Sequence, residues 1–129
     1  MTSGPSVTLS IPFEDAVAAT RAALADEGFG VLTEIDMQAT MKAKLDEDYP
    51  PILILGACNP QFAHKAMGVT TQVATLVPCN VVLRQTDAGV TVETVDPQML
   101  VDATGAGDLE LLADDLRAKL DRVFAALSA

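Results

Sequence analysis

The sequence predicts an α+β fold, with one mainly antiparallel sheet and helices packed on one of its faces. Three observations predict it. Short apolar runs of strand length cluster through the middle of the chain. Val81–Arg84 and Val90–Val95 are β-rich runs joined by Asp87-Ala88-Gly89, the pattern of a hairpin. Leu109, Leu112, Leu116, Leu120, Val123 and Leu127 then recur at three and four with Asp, Arg and Lys on the far side, which is the apolar stripe of a long packed helix.

The elements follow in order. Val7, Leu9 and Ile11 alternate with polar residues over Ser6–Ile11, the period of a half-buried strand. Pro12 opens a helix, with Glu14 and Asp15 in the first turn, where the helix dipole favours acids. Phe13, Val17, Thr20 and Leu24 share its apolar face with Ala16 and Ala23, and Gly28 ends it. Period two returns over Phe29–Ile35, placing Phe29, Val31, Thr33 and Ile35 on one face and Gly30, Leu32 and Glu34 on the other. Asp36 caps a second short helix in which Met37, Met41 and Leu45 recur every four residues, flanked by Lys42 and Lys44. An acidic turn, Asp46-Glu47-Asp48, leads to Tyr49-Pro50-Pro51.

Ile52–Leu55 suits a buried strand running to Gly56. Asn59 before Pro60 starts a short helix over about 60–67, stopped by Gly68, because Asn caps and Pro loses no needed N–H at the first position. A second apolar run, Val73–Val77, reads as a strand leading through Pro78-Cys79-Asn80 into the hairpin. Asp96-Pro97 ends the hairpin, and Thr104–Asp108 is a loop into the last helix.

At 129 residues, half of them hydrophobic, the chain is expected to be one domain spanning 1–129 with a single core. Four Phe, one Tyr and no Trp leave that core to aliphatic residues. A net charge of −10 with no Lys/Arg cluster repels a phosphate backbone, so nucleic acid is excluded as a partner and an anionic membrane surface is disfavoured. The N-terminus has neither the basic nor the apolar part of a signal peptide, and no apolar run reaches the roughly 18 residues of a membrane span. A cytoplasmic protein is expected, with its two cysteines as free thiols.

Five stretches in this order resemble the family called domain of unknown function 302: Gly28–Asp36 (GFGVLTEID), Ile54–Pro60 (ILGACNP), Ala63–Ala66 (AHKA), Leu76–Val82 (LVPCNVV) and Asp96-Pro97 with Met99. The resemblance spans nearly the whole chain. It implies a TATA-binding-protein-like β-α-β4-α fold and a homodimer, and the high apolar content of a short chain supports the dimer. It implies no activity, and fold alone does not supply one.

The chemistry-bearing residues concentrate between Pro50 and Asn80. Cys58 and Cys79 each close an apolar run and each precede Asn. Their strands, if neighbours, would bring the thiols together, and Cys58 lies just before a helix N-terminus, where a thiol pKa falls. This supports a soft-metal site or a redox pair, against the bland alternative that cysteine fills core as Ala or Val would. His64, the one histidine, could add a ligand, so Cys58, Cys79 and His64 form a candidate metal set, with Met99 beside them. Asn59 and Asn80 are caps and turn-formers, or amides offered to a ligand. Glu34 could act as a general base lining a pocket with Thr33 and Lys44, or be a solvated strand carboxylate. No phosphate loop, serine nucleophile elbow or CxxC occurs. The expected function is therefore a homodimeric binding or sensor protein with a small ligand or metal near Cys58, Asn59, His64, Cys79, Asn80 and Glu34. The alternatives are a thiol enzyme in redox or sulfur chemistry using Cys58 or Cys79, and an interaction module without a small-molecule site. No particular cofactor is implied.

Overall fold

The computed structural model describes residues 3–129. Five strands, β1 (Ser3–Leu9), β2 (Gly30–Asp36), β3 (Ile52–Cys58), β4 (Cys79–Thr86) and β5 (Gly89–Val95), form one sheet in the order β1-β5-β4-β3-β2, every neighbouring pair antiparallel. The helices are α1 (Phe13–Asp26), α2 (Met37–Leu45), α3 (Pro60–Val69), α4 (Gln98–Thr104) and α5 (Glu110–Ser128). With the short helices set aside the order is β-α-β4-α, and the fold is α+β as expected.

Antiparallel pairing sends alternate side chains to opposite faces. Leu55, Ala57, Val81, Leu83, Val90 and Val92 face the helices and are buried. They meet Leu24 of α1, Phe62 of α3 and Leu116, Leu120 and Val123 of α5 in one core cluster. Thr20 is the polar exception in α1, fully buried, and its hydroxyl donates to the Ala16 carbonyl at 2.7 Å. Arg122 of α5 donates to the Glu27 carboxylate at 2.7 Å, tying α5 to the end of α1. The opposite face carries Thr8, Thr91, Glu93, Val82, Arg84, Ile54 and Ile35 among others, and α1, α3, α4 and α5 all lie away from it.

Four expectations are corrected. Val73–Val77 is not a strand. A 3-10 turn covers Thr71–Thr75, and the Thr70 hydroxyl accepts from Gln72 N at 3.3 Å while the Thr75 hydroxyl donates to the Gln72 carbonyl at 2.8 Å. Threonines that satisfy nearby backbone groups compete with a strand ladder, and only Val73 of the run is fully buried. Cys79 therefore begins a strand rather than ending one.

The second correction is a bulge at Leu32. Val31 pairs with Ala57 and Thr33 with Gly56, so Leu32 is an extra residue on edge strand β2. Beyond it Thr33 and Ile35 turn to the open face, leaving Val31 on the helix face, and period two over Phe29–Ile35 does not hold. The third is that α3 runs through Gly68 to Val69. Finally, α4 occupies the stretch between Asp96-Pro97 and the loop at Thr104–Asp108, where no element was expected, and takes Thr104 into the helix. Asp96 Oδ1 accepts from Gln98 N at 2.9 Å, Pro97 stands at the helix start, and Gly105 ends it at φ +69°. Asp96 Oδ2 also pairs with Arg117 of α5, which anchors the end of β5 to the helical layer.

Candidate functional site

Adjacent strands do bring the two Cys-Asn pairs to one end of the sheet. Cys79 lies opposite Ala57, and Cys58 one residue further lies opposite Gly30. The two cysteines are not a direct cross-strand pair, but both border one crevice with Asn59, Phe62, Val77 and Leu116. That crevice has a volume of about 10 Å³. It is at most the size of one water, and its walls are mainly apolar. Both thiols are free. Burial pushes the Cys79 thiol up from 9.0 to about 11, and the neighbouring Cys58 adds to the rise. Cys79 is thus held as the neutral thiol at physiological pH, the reverse of what nucleophilic chemistry needs.

The asparagines separate. Asn59 is buried and occupied: its Oδ1 accepts from Phe62 N at 3.2 Å as the N-cap of α3, and its Nδ2 donates to the Glu27 carbonyl at 3.3 Å. Truncation to Ala is expected to cost about 1–2 kcal/mol, through the lost cap and the lost partner of Glu27. Urea unfolding of Asn59→Ala with an unchanged midpoint would show that neither bond matters. Asn80, in contrast, is exposed on β4 and lies opposite Gly56 on the open face.

His64 sits on the exposed side of α3, away from buried Phe62, Ala63 and Ala66. Among the described residues no three His, Cys, Asp or Glu side chains converge on a metal-sized site, so the set Cys58, Cys79 and His64 is not assembled. The physical reason is that the thiols border an internal crevice while the imidazole faces outward. Met99 is half-buried on α4. Glu34 projects from the helix side of β2 and pairs with Arg21 of α1, while Thr33 turns to the other face, so the two do not line one pocket.

The open face holds a hollow that sequence reasoning missed apart from Asn80. It has a volume of about 400 Å³ and is bordered by Ser6, Asn80, Val82, Glu93, Thr94 and Val95. Its floor lies where β1 is irregular between Ser3 and Ser6. Glu93 accepts from Arg84 Nε at 2.8 Å, and Thr94 donates to the Asn80 carbonyl at 2.7 Å. The hollow therefore offers the Asn80 amide and the Ser6 hydroxyl beside two valines, with its one carboxylate already paired. Asn80, Val82 and Glu93–Val95 come from the β4–β5 hairpin, and the pairing of β1 with β5 brings Ser6 to them from far away in the sequence. A larger groove of about 700 Å³ lies between the end of β1, α1 and α5, and its lining includes Val7, Leu9, Ile11, Ala22, Ala23 and Ala126. It contains none of the residues singled out by their chemistry.

One antiparallel sheet with a helical layer on one face defines a small α+β protein. The model of the family described as "Domain of unknown function DUF302" matches residues 5–127, and the chain belongs to that family. A solved structure, that of an uncharacterized conserved DUF302 protein from Bacillus stearothermophilus, is similar to it with a TM-score of 0.89 at 25% identity, over 95% of this chain and 96% of that one. No curated protein matches the chain.

Proposed function

We propose that this chain is a homodimeric binding module whose ligand is a small, uncharged molecule bearing an amide or hydroxyl group. The observation that carries this reading is the open sheet face with its hollow of about 400 Å³ at Asn80. That volume suits a small molecule, and the mix of apolar walls with few convergent polar groups is what such sites use. The ligand is taken as uncharged because the chain carries a net charge of −10 and Glu93 is already paired with Arg84. The same acidity argues against nucleic acid as a partner. Among the described residues no helix is long and apolar enough to cross a membrane. Cytoplasmic residence belongs to the proposal and is supported by two thiols that share a crevice yet stay unpaired.

The site is thus proposed on the open side of the Cys-Asn region, with Asn80 in it. Cys58, Asn59 and Cys79 border the separate small crevice, and with His64 and Glu34 they lie outside the proposed site. The thiol-enzyme alternative is disfavoured at Cys79, whose burial raises its thiol.

The test is amide chemical-shift mapping on isotope-labelled protein with a panel of small neutral amides and alcohols. Shifts are expected to cluster at Asn80, Val82 and Glu93–Val95, and Asn80→Ala is expected to weaken binding about tenfold, the loss of one or two hydrogen bonds. No saturable shift, or shifts confined to Cys58 and Cys79, would refute the assignment.

A further inference from the structure

We infer that Arg84 is the specificity-determining residue of the hollow at Asn80: by holding the Glu93 carboxylate it reserves the site for neutral N–H or O–H donors and shuts out amines and other organic cations. The inference rests on the ligand reading above and deepens it, since it names the residue that decides which class of small molecule enters.

The strand register supplies the geometry. On the open face Ser6, Glu93 and Val82 form one row across β1, β5 and β4, and Thr8, Thr91 and Arg84 form the next. On the other side of the Glu93 row stand Val95 and Asn80, which border the hollow. Glu93 therefore sits between an arginine and the hollow, with a side chain long enough to lean toward either. It leans to the arginine, whose Nε donates to Oε1 at 2.8 Å. Among the described residues Glu93 is the one ionisable side chain that borders the hollow, and Arg84 does not border it. The charge that a ligand meets is thus set from outside the site, by a positioning residue.

The pair does not act by locking the sheet. Both side chains are partly exposed, 42% and 38%, and exposed ion pairs add little stability. Its effect is on what can enter. A guanidinium stays charged at any physiological pH, so the Glu93 carboxylate is always compensated. An incoming cation would meet that compensated carboxylate and, beside it, a charge of its own sign. Without Arg84 the same carboxylate, in a chain of net charge −10, would draw cations. Anions are turned away by the acidity of the chain as a whole.

A neutral donor meets different conditions. Oε2 of Glu93 has no hydrogen-bond partner among the described residues, so it accepts an N–H or O–H from the ligand as a charge-assisted bond. The Asn80 amide offers one acceptor and one donor group beside it. The ligand class narrows to small primary amides, ureas and alcohols.

Benzamide and benzamidinium test this, because they have nearly the same shape and differ in charge. Amide shifts at Val82 and Glu93–Val95 are titrated with each compound at neutral pH and low salt. The parent is expected to bind benzamide at least as tightly as benzamidinium. Arg84→Gln alters a partly exposed side chain and is expected to keep the dispersed amide spectrum. It should bind benzamidinium about tenfold tighter or more than the parent does, with benzamide changed less than about twofold. Arg84→Lys, which retains the charge, should keep the parent's preference. The double variant Arg84→Gln with Glu93→Gln has the parent's net charge and should lose the gain. A parent that prefers benzamidinium, no gain in Arg84→Gln, or a gain that survives in the double variant overturns the role of Arg84. A parent that binds benzamide nowhere in the hollow refutes the ligand reading. The Arg84 inference is then judged by benzamidinium alone: a gain in Arg84→Gln that needs Glu93 sustains it, and no gain overturns it.

Discussion

Gly89→Val is expected to destabilise the protein by ~3 kcal/mol or more, because a side chain there meets both a forbidden backbone conformation and a neighbouring strand. Gly89 opens β5 at φ +134°, in the region side chains rarely adopt, and a Cβ on it would stand 2.4 Å from the Leu9 carbonyl oxygen. That oxygen belongs to β1, whose Leu9 pairs with Val90. Relief of the contact therefore requires β1 to move off the sheet, and β1 is the strand that closes the hollow at Asn80. Gly105→Ala is the internal control. Gly105 also has positive φ, at +69°, but nothing lies near its absent Cβ. Its replacement is expected to cost only about 1 kcal/mol, the price of the left-handed conformation alone. Thermal unfolding reads the difference: a loss on the order of 10 °C for Gly89→Val and a few degrees for Gly105→Ala. Equal losses would show that the approach of β1 is not the cause.

Cys79 is expected to react about a hundredfold more slowly with iodoacetamide at pH 8 than an ordinary thiol, because a pKa near 11 rather than 9.0 reduces its thiolate about that much. Peptide mapping after timed alkylation measures it, and a Cys79 as fast as free cysteine would remove the burial argument. The same shift makes stability depend on pH. Below pH 9 the thiol is neutral in both states and contributes its full stability. Between about 9 and 11 the unfolded chain ionises while the fold resists, so stability falls as pH rises, by roughly 2–3 kcal/mol across that window. Cys79→Ala should lack that decline. Subtraction of its curve from the parent's removes the contributions that the two proteins share. Parallel curves would mean that Cys79 is not desolvated.

Much of the fold was legible because local rules decided it. The stripe of α5, the Asn59-Pro60 start of α3, the Asp36 cap of α2, whose Oδ1 accepts from Ala39 N at 2.9 Å, and the hairpin at Gly89 each follow from neighbouring residues. Two misreadings share one origin. At Leu32 and at Val73–Val77 the apolar pattern was that of a strand, but an inserted residue in one case and threonine hydroxyls in the other set the geometry. The start of α4 carried its own signal in Asp96-Pro97, with Gly105 at the far end. The same dipeptide also suits the end of a strand, and here it does both.

The candidate site was half legible. Cys58 and Cys79 do border one crevice, as neighbouring strands implied, yet Asn59 is consumed as a cap and Asn80 is free on the far face. Two copies of the same dipeptide acquire opposite roles because one stands at a helix start and the other inside a strand.

By itself the sequence determined most of the elements and the residues able to form a core, the turn at Thr71–Thr75 and α4 excepted, since propensity, capping and periodicity act within a few residues of each position. It also determined the family, through five stretches in a fixed order. Only the tertiary structure decided which strand lies beside which, and so placed Ser6, Asn80 and Val95 around one hollow while turning His64 away from the thiols. The reason is that pairing of β1 with β5 joins residues more than eighty positions apart, and that choice depends on the packing of the whole sheet against α1 and α5.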